Sequence, residues 1–112
     1  MSATAPLPPI VVVIVKGARS MTSRSVTVRN PLGLHARAAA RFVHVATRFT
    51  SQIRVARGAR VMDGKSIMGI LLLAAARGTT LTISADGADE ANAVDALTEL
   101  VESGFGEESW NA

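Results

Sequence analysis

The chain contains no cysteine among its 112 residues. This absence excludes disulfide bonds, thiolate nucleophiles and cysteine-based zinc sites together. Because the sequence holds only two histidines, and they are not spaced as H-x-x-x-H, we expect neither a metal site nor a cofactor. The groups left for nucleophilic chemistry are the side chains of His, Ser, Thr and Lys and the carboxylates.

Long apolar runs are also lacking. The two longest, residues 10–15 and 70–76, fall far short of the roughly 20 residues that a membrane-spanning helix requires. The first run has neither the preceding basic residue nor the small-residue cleavage site of a signal peptide. We therefore expect a cytoplasmic protein that does not insert into a membrane.

Aromatic residues make up only 4% of the chain, so its core must be built from Leu, Ile, Val and Ala. The length fits one domain. The formal charge of +3 favours an anionic partner, either a nucleic acid or an acidic protein surface. The arginines at positions 48, 54, 57 and 60 lack the interleaved aromatics that stack on bases, so we interpret them as a solvated face. A basic nucleic-acid-binding module is a distant alternative.

Residues 1–20 differ in composition from the rest of the chain. Prolines at positions 6, 8 and 9 oppose regular structure, and an uncharged run from Ile10 to Val15 follows. One interpretation of this run is an extra edge strand. The favoured one is an unstructured extension upstream of a natural start at Met21. The domain then covers residues 21–104, and residues 105–112 form a frayed tail.

From Met21 onward, the hydrophobic pattern alternates between strand and helix periods. Strands are predicted over residues 25–30, 52–57, 59–63 and 79–85. Helices are predicted from about residue 36, over residues 67–76, and from a cap at Asp86 or Asp89 to about residue 103. This βαββαβα order predicts an α+β fold in which a four-stranded antiparallel sheet carries three helices on one face.

The segment NPLGLHARAAARF, residues 30–42, places His35 between a turn and a predicted helix start. A helix N-terminus presents unpaired N–H groups and about half a positive charge, which favours a phosphate dianion and disfavours an imidazolium. Arg37 can pair with phosphate oxygens. These residues predict a histidine that accepts a phosphoryl group and passes it on, as a carrier and not an enzyme. The alternative is a histidine that only caps the helix. His44, further along the same predicted helix, has no glycine turn before it and is predicted to be an ordinary surface histidine.

The second candidate segment is MDGKSIMG, residues 62–69. Its GKS resembles the end of a P-loop, but the first glycine of that motif is missing because position 59 is alanine. Ser66 is predicted to cap the second helix and is suitable for phosphorylation, which would place negative charge at a helix start. That charge would repel an acidic partner and cover the neighbouring apolar residues Ile67, Met68 and Leu71.

Both segments resemble those of the HPr family, the histidine-containing phosphocarriers of the bacterial phosphoenolpyruvate-dependent phosphotransferase system. NPLGLHARAAARFV is similar to the family's active-site segment, and GKSIMGILLLAAARGT is similar to its regulatory-serine segment. The similarity spans about Ser23 to Gly104. It implies an open-faced β-sandwich of the same βαββαβα order, and we expect such a carrier to be monomeric.

By this resemblance, His35 takes a phosphoryl group on its δ1 nitrogen from Enzyme I and passes it to a IIA-type protein. The pathway is sugar uptake or, alternatively, a nitrogen-related or regulatory branch. Arg37 matches the family's active-site arginine, and Ser66 matches the serine that an HPr kinase modifies. The family's apolar partner-binding patch corresponds to Ile67, Met68 and Leu71. The family usually has proline where this chain has Ala38, so we expect a less rigid helix start.

Overall fold

The computed structural model describes residues 9–15 and 19–107 of the chain. The strands are β1 (Val11–Val15), β2 (Arg19–Thr27), β3 (Gln52–Arg57), β4 (Arg60–Asp63) and β5 (Thr80–Asp86). The helices are α1 (Ala36–Ala46), α2 (Ile67–Leu72) and α3 (Glu90–Glu102), followed by a 3₁₀ turn over Gly104–Gly106. Within these described residues, no helix combines the length and apolar character needed to cross a bilayer.

The predicted four-stranded antiparallel sheet is present as β2-β5-β3-β4, and the α+β fold class is confirmed. Alternate side chains of a strand point to opposite faces, so β5 buries Leu81, Ile83 and Ala85 while the residues between them lie on the more open face. The buried face packs against apolar side chains of the helices, such as Phe42 of α1 and Leu97 of α3. The helices therefore cover one face of the sheet, as expected for an open-faced sandwich.

A fifth strand, β1, lies at the edge of the sheet beside β2. The two strands pair antiparallel, from Val11 opposite Ser23 to Val15 opposite Arg19. Val11–Val15 therefore form an edge strand and not an unstructured extension. The β-branched residues of this run have high strand propensity, and the open edge of β2 offers backbone groups that need hydrogen-bond partners. For the same reason β2 begins at Arg19, earlier than the strand predicted from position 25.

Helix α2 ends at Leu72 and is therefore shorter than the predicted helix over residues 67–76. The chain turns at Ala74, whose φ is +50°. Two arginines of the β3–β4 hairpin bind the carbonyl groups at this helix end. Arg57 donates to the carbonyl oxygens of Leu73 and Ala74 at 2.9 and 3.0 Å, and Arg60 donates to that of Leu72 at 2.7 Å. Carbonyls at a helix C-terminus lack intrahelical partners, so these arginines stabilise the turn. Both residues are also exposed to solvent, as the predicted solvated face requires.

Asp89 precedes α3 and holds the loop that follows α1. Its carboxylate accepts hydrogen bonds from the Thr50 and Ser51 amides, both at 2.9 Å, and from the Ser51 hydroxyl. The hydrogen bond from the Ser51 side chain and then that from the Thr50 amide lower the pKa of Asp89 from 3.8 to about 2. Asp89 is the N-cap residue of α3, yet its side chain bonds to this loop and not to the helix.

The replacement Asp89→Asn should flatten the acid dependence of stability. Because the pKa of Asp89 is lower in the folded chain than in the unfolded one, its carboxylate stabilises the fold above its ordinary pKa of 3.8, and this stabilisation is lost as the pH falls toward about 2. Urea unfolding between about pH 5 and about pH 2 should therefore show a smaller loss of unfolding free energy in the variant than in the wild type. Parallel curves for the two proteins would contradict this role.

Beyond α3 the chain forms the 3₁₀ turn over Gly104–Gly106, in a stretch where the sequence predicts a frayed tail from residue 105 onward. Phe105 is fully buried in the core. The flanking Gly104 and Gly106 have φ values of +71° and +67°, a left-handed conformation that glycine adopts without steric cost. This turn returns the chain to the core and places Glu107 beside the loop that precedes α1.

Candidate functional site

The loop from Asn30 to Leu34 determines where α1 begins. Gly33 has a φ of +65°, and a Cβ added there would lie 2.5 Å from the Ala75 carbonyl oxygen. The Leu34 amide donates to that same oxygen at 2.9 Å, and the buried Asn30 side chain donates to the Gly33 carbonyl at 2.7 Å. The close approach of two backbone segments therefore requires glycine at this position and fixes the chain just before His35.

His35 is the N-cap residue of α1, and its side chain is 26% exposed. Its Nδ1 accepts a hydrogen bond from the Arg37 amide at 3.3 Å, and its Nε2 lies 2.6 Å from a carboxylate oxygen of Glu107. Because Nδ1 faces a donor and Nε2 faces an acceptor, we assign the ring proton to Nε2 and the lone pair to Nδ1. The unprotonated nitrogen thus faces the first turn of α1, where the backbone amides lack intrahelical partners.

Glu107 is the site residue that sequence reasoning missed. Its side chain is 11% exposed and also accepts a hydrogen bond from the Asn30 side chain at 2.8 Å. Burial raises the pKa of Glu107, but hydrogen bonds from His35 and Asn30 outweigh this effect, so the pKa lies below its usual value of 4.5. Glu107 lies 72 residues from His35 along the chain. The glycines around Phe105 are the one local signal of an ordered turn there.

Arg37 follows His35 in the first turn of α1, and it is exposed. Arg41 and His44 follow on the same helix and Arg48 lies just after its end. These three residues line a shallow hollow together with Arg37. His44 is exposed, as predicted for a surface histidine. We call these four residues the basic face of α1, and its charge complements an acidic protein surface.

Ser66 is the N-cap residue of α2, as predicted, and its hydroxyl oxygen accepts a hydrogen bond from the Gly69 amide at 3.0 Å. The preceding Lys65 donates to the Phe49 carbonyl at 2.6 Å and so ties the start of α2 to the segment after α1. Gly64 is buried in the turn, with its amide donating to the Ile53 carbonyl at 2.7 Å. The GKS segment therefore forms a tight turn and helix cap.

The exposed apolar residues of α2 differ from the predicted set by one member. Ile67 and Met68 are 44% and 66% exposed, as the predicted patch requires, but the third exposed residue is Leu72, at 52%. Leu71 is partly buried and packs against the core, because it follows the fully buried Ile70 on the inner side of this short helix. We call Ile67, Met68 and Leu72 the apolar patch of α2.

Residues 22–103 match the family model described as "PTS HPr component phosphorylation site". The chain belongs to the HPr family. The "Phosphocarrier protein HPr" of Cupriavidus necator is 48% identical over 87 residues, which cover 78% of this chain and 98% of that protein. The protein of the same name from Neisseria meningitidis serogroup A is 47% identical over the same shares.

Solved HPr structures confirm the fold. A crystal structure of HPr from Thermoanaerobacter tengcongensis matches with a TM-score of 0.73 and 44% identity, covering 75% of this chain and 94% of that one. Another crystal structure from the same organism is described as an HPr dimer, with 46% identity and a TM-score of 0.62. A monomer therefore stays a prediction for this HPr chain.

Two features of this chain do not follow from the match to the HPr family model. Helix α1 begins at Ala36 although Ala38 stands where the family resemblance implies proline, and Ala38 is fully buried. The HPr family match ends at residue 103, so Glu107 lies beyond the matched segment. The contact between Glu107 and His35 therefore comes from this structure and not from the match to the family model.

Proposed function

We propose that this chain is a phosphocarrier that receives a phosphoryl group from Enzyme I on Nδ1 of His35 and passes it to IIA-type proteins in the cytoplasm. The observation that carries the proposal is the orientation of the imidazole, with its Nδ1 lone pair toward the first turn of α1. A phosphoryl group on Nδ1 would lie beside the first-turn amides at the positive end of the helix, which stabilise its charge. The relatives named as phosphocarriers support the same conclusion.

The proposed transfer uses only groups of the chain and its partners. The Nδ1 lone pair attacks the phosphorus of the donor, the bond from phosphorus to the leaving group breaks, and the leaving group keeps the electron pair. The proton stays on Nε2. Attack by a nucleophile of the acceptor protein then breaks the N–P bond and returns the neutral ring. In both steps Arg37 pairs with phosphoryl oxygens. The chain is a relay between proteins and not an enzyme with its own small-molecule substrate.

The partner-binding surface in this proposal consists of the basic face of α1 and the apolar patch of α2. The two helices contact each other, so the two regions belong to neighbouring elements. An apolar patch beside a row of cationic side chains fits a protein partner with an apolar centre and an acidic rim. The exposed Leu32, three residues before His35, adds apolar surface near the reacting nitrogen.

The variant Met68→Asp should weaken binding to Enzyme I by about 10- to 100-fold, because burial of a methionine side chain contributes about 1.5–3 kcal/mol. The expected signature in steady-state transfer assays is a higher KM with little change in kcat. Val11→Asp is the matched control, since Val11 is 52% exposed on β1 and α2 contacts β4 at the opposite edge of the sheet. Similar KM increases in both variants would argue against the patch.

We also propose Ser66 as a regulatory site for an HPr kinase. Phosphorylation would add up to about two negative charges at the start of α2, where they are tolerated by the helix. The same charges would lie next to Ile67 and Met68 and would repel the acidic rim of a partner. The modification therefore acts on docking without refolding the domain.

A phosphosite map under two donors tests these assignments. Phosphoenolpyruvate with Enzyme I should give an acid-labile phosphoryl group on His35. ATP with an HPr kinase should give an acid-stable one on Ser66. Acid-labile label on His44, or none on either histidine, would overturn the carrier proposal. An unmodified Ser66 would overturn the regulatory one alone.

A further inference from the structure

We infer that Glu107 is a positioning residue for the phosphoryl acceptor. Its carboxylate holds His35 in the tautomer that leaves Nδ1 nucleophilic, and it becomes the counter-ion of the ring once Nδ1 is phosphorylated. The inference rests on the proposed function of His35 and adds a residue from beyond the segment that matches the family model. It assigns a functional role to the C-terminal turn that follows α3.

The need for a counter-ion follows from the charge balance of the transfer. When the neutral ring attacks phosphorus through Nδ1, both ring nitrogens are substituted and the ring becomes cationic. The positive end of α1 stabilises the phosphoryl dianion but disfavours a cation at the same place. A carboxylate oxygen 2.6 Å from Nε2 resolves this conflict, because the hydrogen bond present before transfer becomes an ion pair after it.

The structure holds Glu107 ready for this role. Asn30 donates to the same carboxylate oxygen that faces Nε2, at 2.8 Å, and the carboxylate is largely shielded from solvent. The fully buried Phe105 fixes the backbone two residues earlier. The carboxylate is therefore positioned by the fold and requires no rearrangement when the ring becomes charged.

Within the part of the chain that the structure describes, three other charged side chains lie around this pair. Arg37 follows His35 on α1, and Arg29 and Glu102 line the cleft that Glu107 borders on its other side. Arg29 and Glu102 bind each other at 2.8 Å. Glu102 is consequently a suitable control, since it offers the same chemical group in the same cleft but is paired with an arginine.

The experiment uses potassium phosphoramidate, a small donor that phosphorylates imidazole nitrogen without a protein partner. Three variants of the full chain are compared with the wild type. Glu107→Gln keeps a hydrogen-bond acceptor and removes the charge, Glu107→Ala removes both, and Glu102→Gln is the control. Circular dichroism establishes that each variant folds, and ³¹P NMR follows loss of the phosphoryl group as a function of pH.

Two results are expected from the Glu107 variants. Nitrogen-15 NMR of the unphosphorylated ring should show the Nε2–H tautomer in the wild type and in Glu107→Gln, and a mixture of tautomers in Glu107→Ala. In Glu107→Gln, the pH at which phosphoryl loss slows should fall by about one unit, because the cationic ring has lost its counter-ion and releases its proton more easily. Glu102→Gln should follow the wild-type profile.

The outcomes separate this inference from the proposed function. A Glu107→Gln profile that coincides with the wild type, or an equal shift in Glu102→Gln, would overturn the role of Glu107. Failure of phosphoramidate to label His35 in the wild-type chain would instead count against His35 as the acceptor. A merely structural role of Glu107 would lower stability without moving the pH profile.

Discussion

Replacement of His35 by alanine is expected to abolish phosphorylation of the chain by phosphoenolpyruvate and Enzyme I. The variant lacks the only nitrogen lone pair that the described residues present at the start of α1. The fold should survive, because losing an N-cap side chain costs about 0.5–2 kcal/mol out of a typical total of about 5–15 kcal/mol. Intact-protein mass spectrometry before and after acid treatment measures the effect directly.

His44 supplies the matched control for this result. It is the second histidine of the chain and lies exposed in the last turn of the same helix. It lacks a preceding glycine turn, and no described residue gives it the carboxylate contact that His35 has. His44→Ala should therefore be phosphorylated like the wild type. Retention of acid-labile phosphate in His35→Ala, or its loss in His44→Ala, would refute the assignment of the acceptor.

The second large effect is expected from Phe105→Ala, which should lower the free energy of unfolding by about 3–5 kcal/mol. Phe105 is fully buried and is among the largest buried side chains of the core. Truncation removes its apolar contacts and leaves a cavity that the surrounding side chains fill only in part. Urea unfolding monitored by circular dichroism measures the loss.

Phe49→Ala is the comparison for this prediction. Phe49 is only partly buried at the edge of the core, so the same change of residue type should cost clearly less. Phe105→Ala should also disturb the ring tautomer of His35, since it releases the turn that places Glu107. Equal destabilisation by the two variants would contradict the greater contribution of Phe105 to the core.

The fold class of this HPr chain follows from local pattern. The period-two alternation in residues 52–57 and 80–86 and the helical spacing in residues 36–46 are strong because each element buries one face against a common core. The element boundaries were less predictable. Helix α2 ends at Leu72, and arginines from the separate β3–β4 hairpin bind the carbonyls of Leu72 and Leu73 there, a contact that the local pattern does not reveal.

Part of the candidate site could also be predicted from residues that are neighbours in the sequence. A glycine turn, His35, a helix start and Arg37 stand within a few residues, so the sequence alone predicts a nucleophilic nitrogen at the positive end of a helix. The cap at Ser66 was predictable for the same reason. The members of the apolar patch could not be predicted in the same way, because the packing of α2 on the core decides whether Leu71 or Leu72 is exposed.

What the sequence by itself determined is the order of the elements and the choice of His35 as the candidate acceptor, because both depend on neighbours along the chain. Only the tertiary structure decided the pairing of β1 with β2, the burial of Phe105 and the contact between Glu107 and His35. Glu107 reaches the imidazole because a left-handed turn after α3 directs Phe105 into the core. Burial of that one aromatic side chain brings together groups that no local pattern connects.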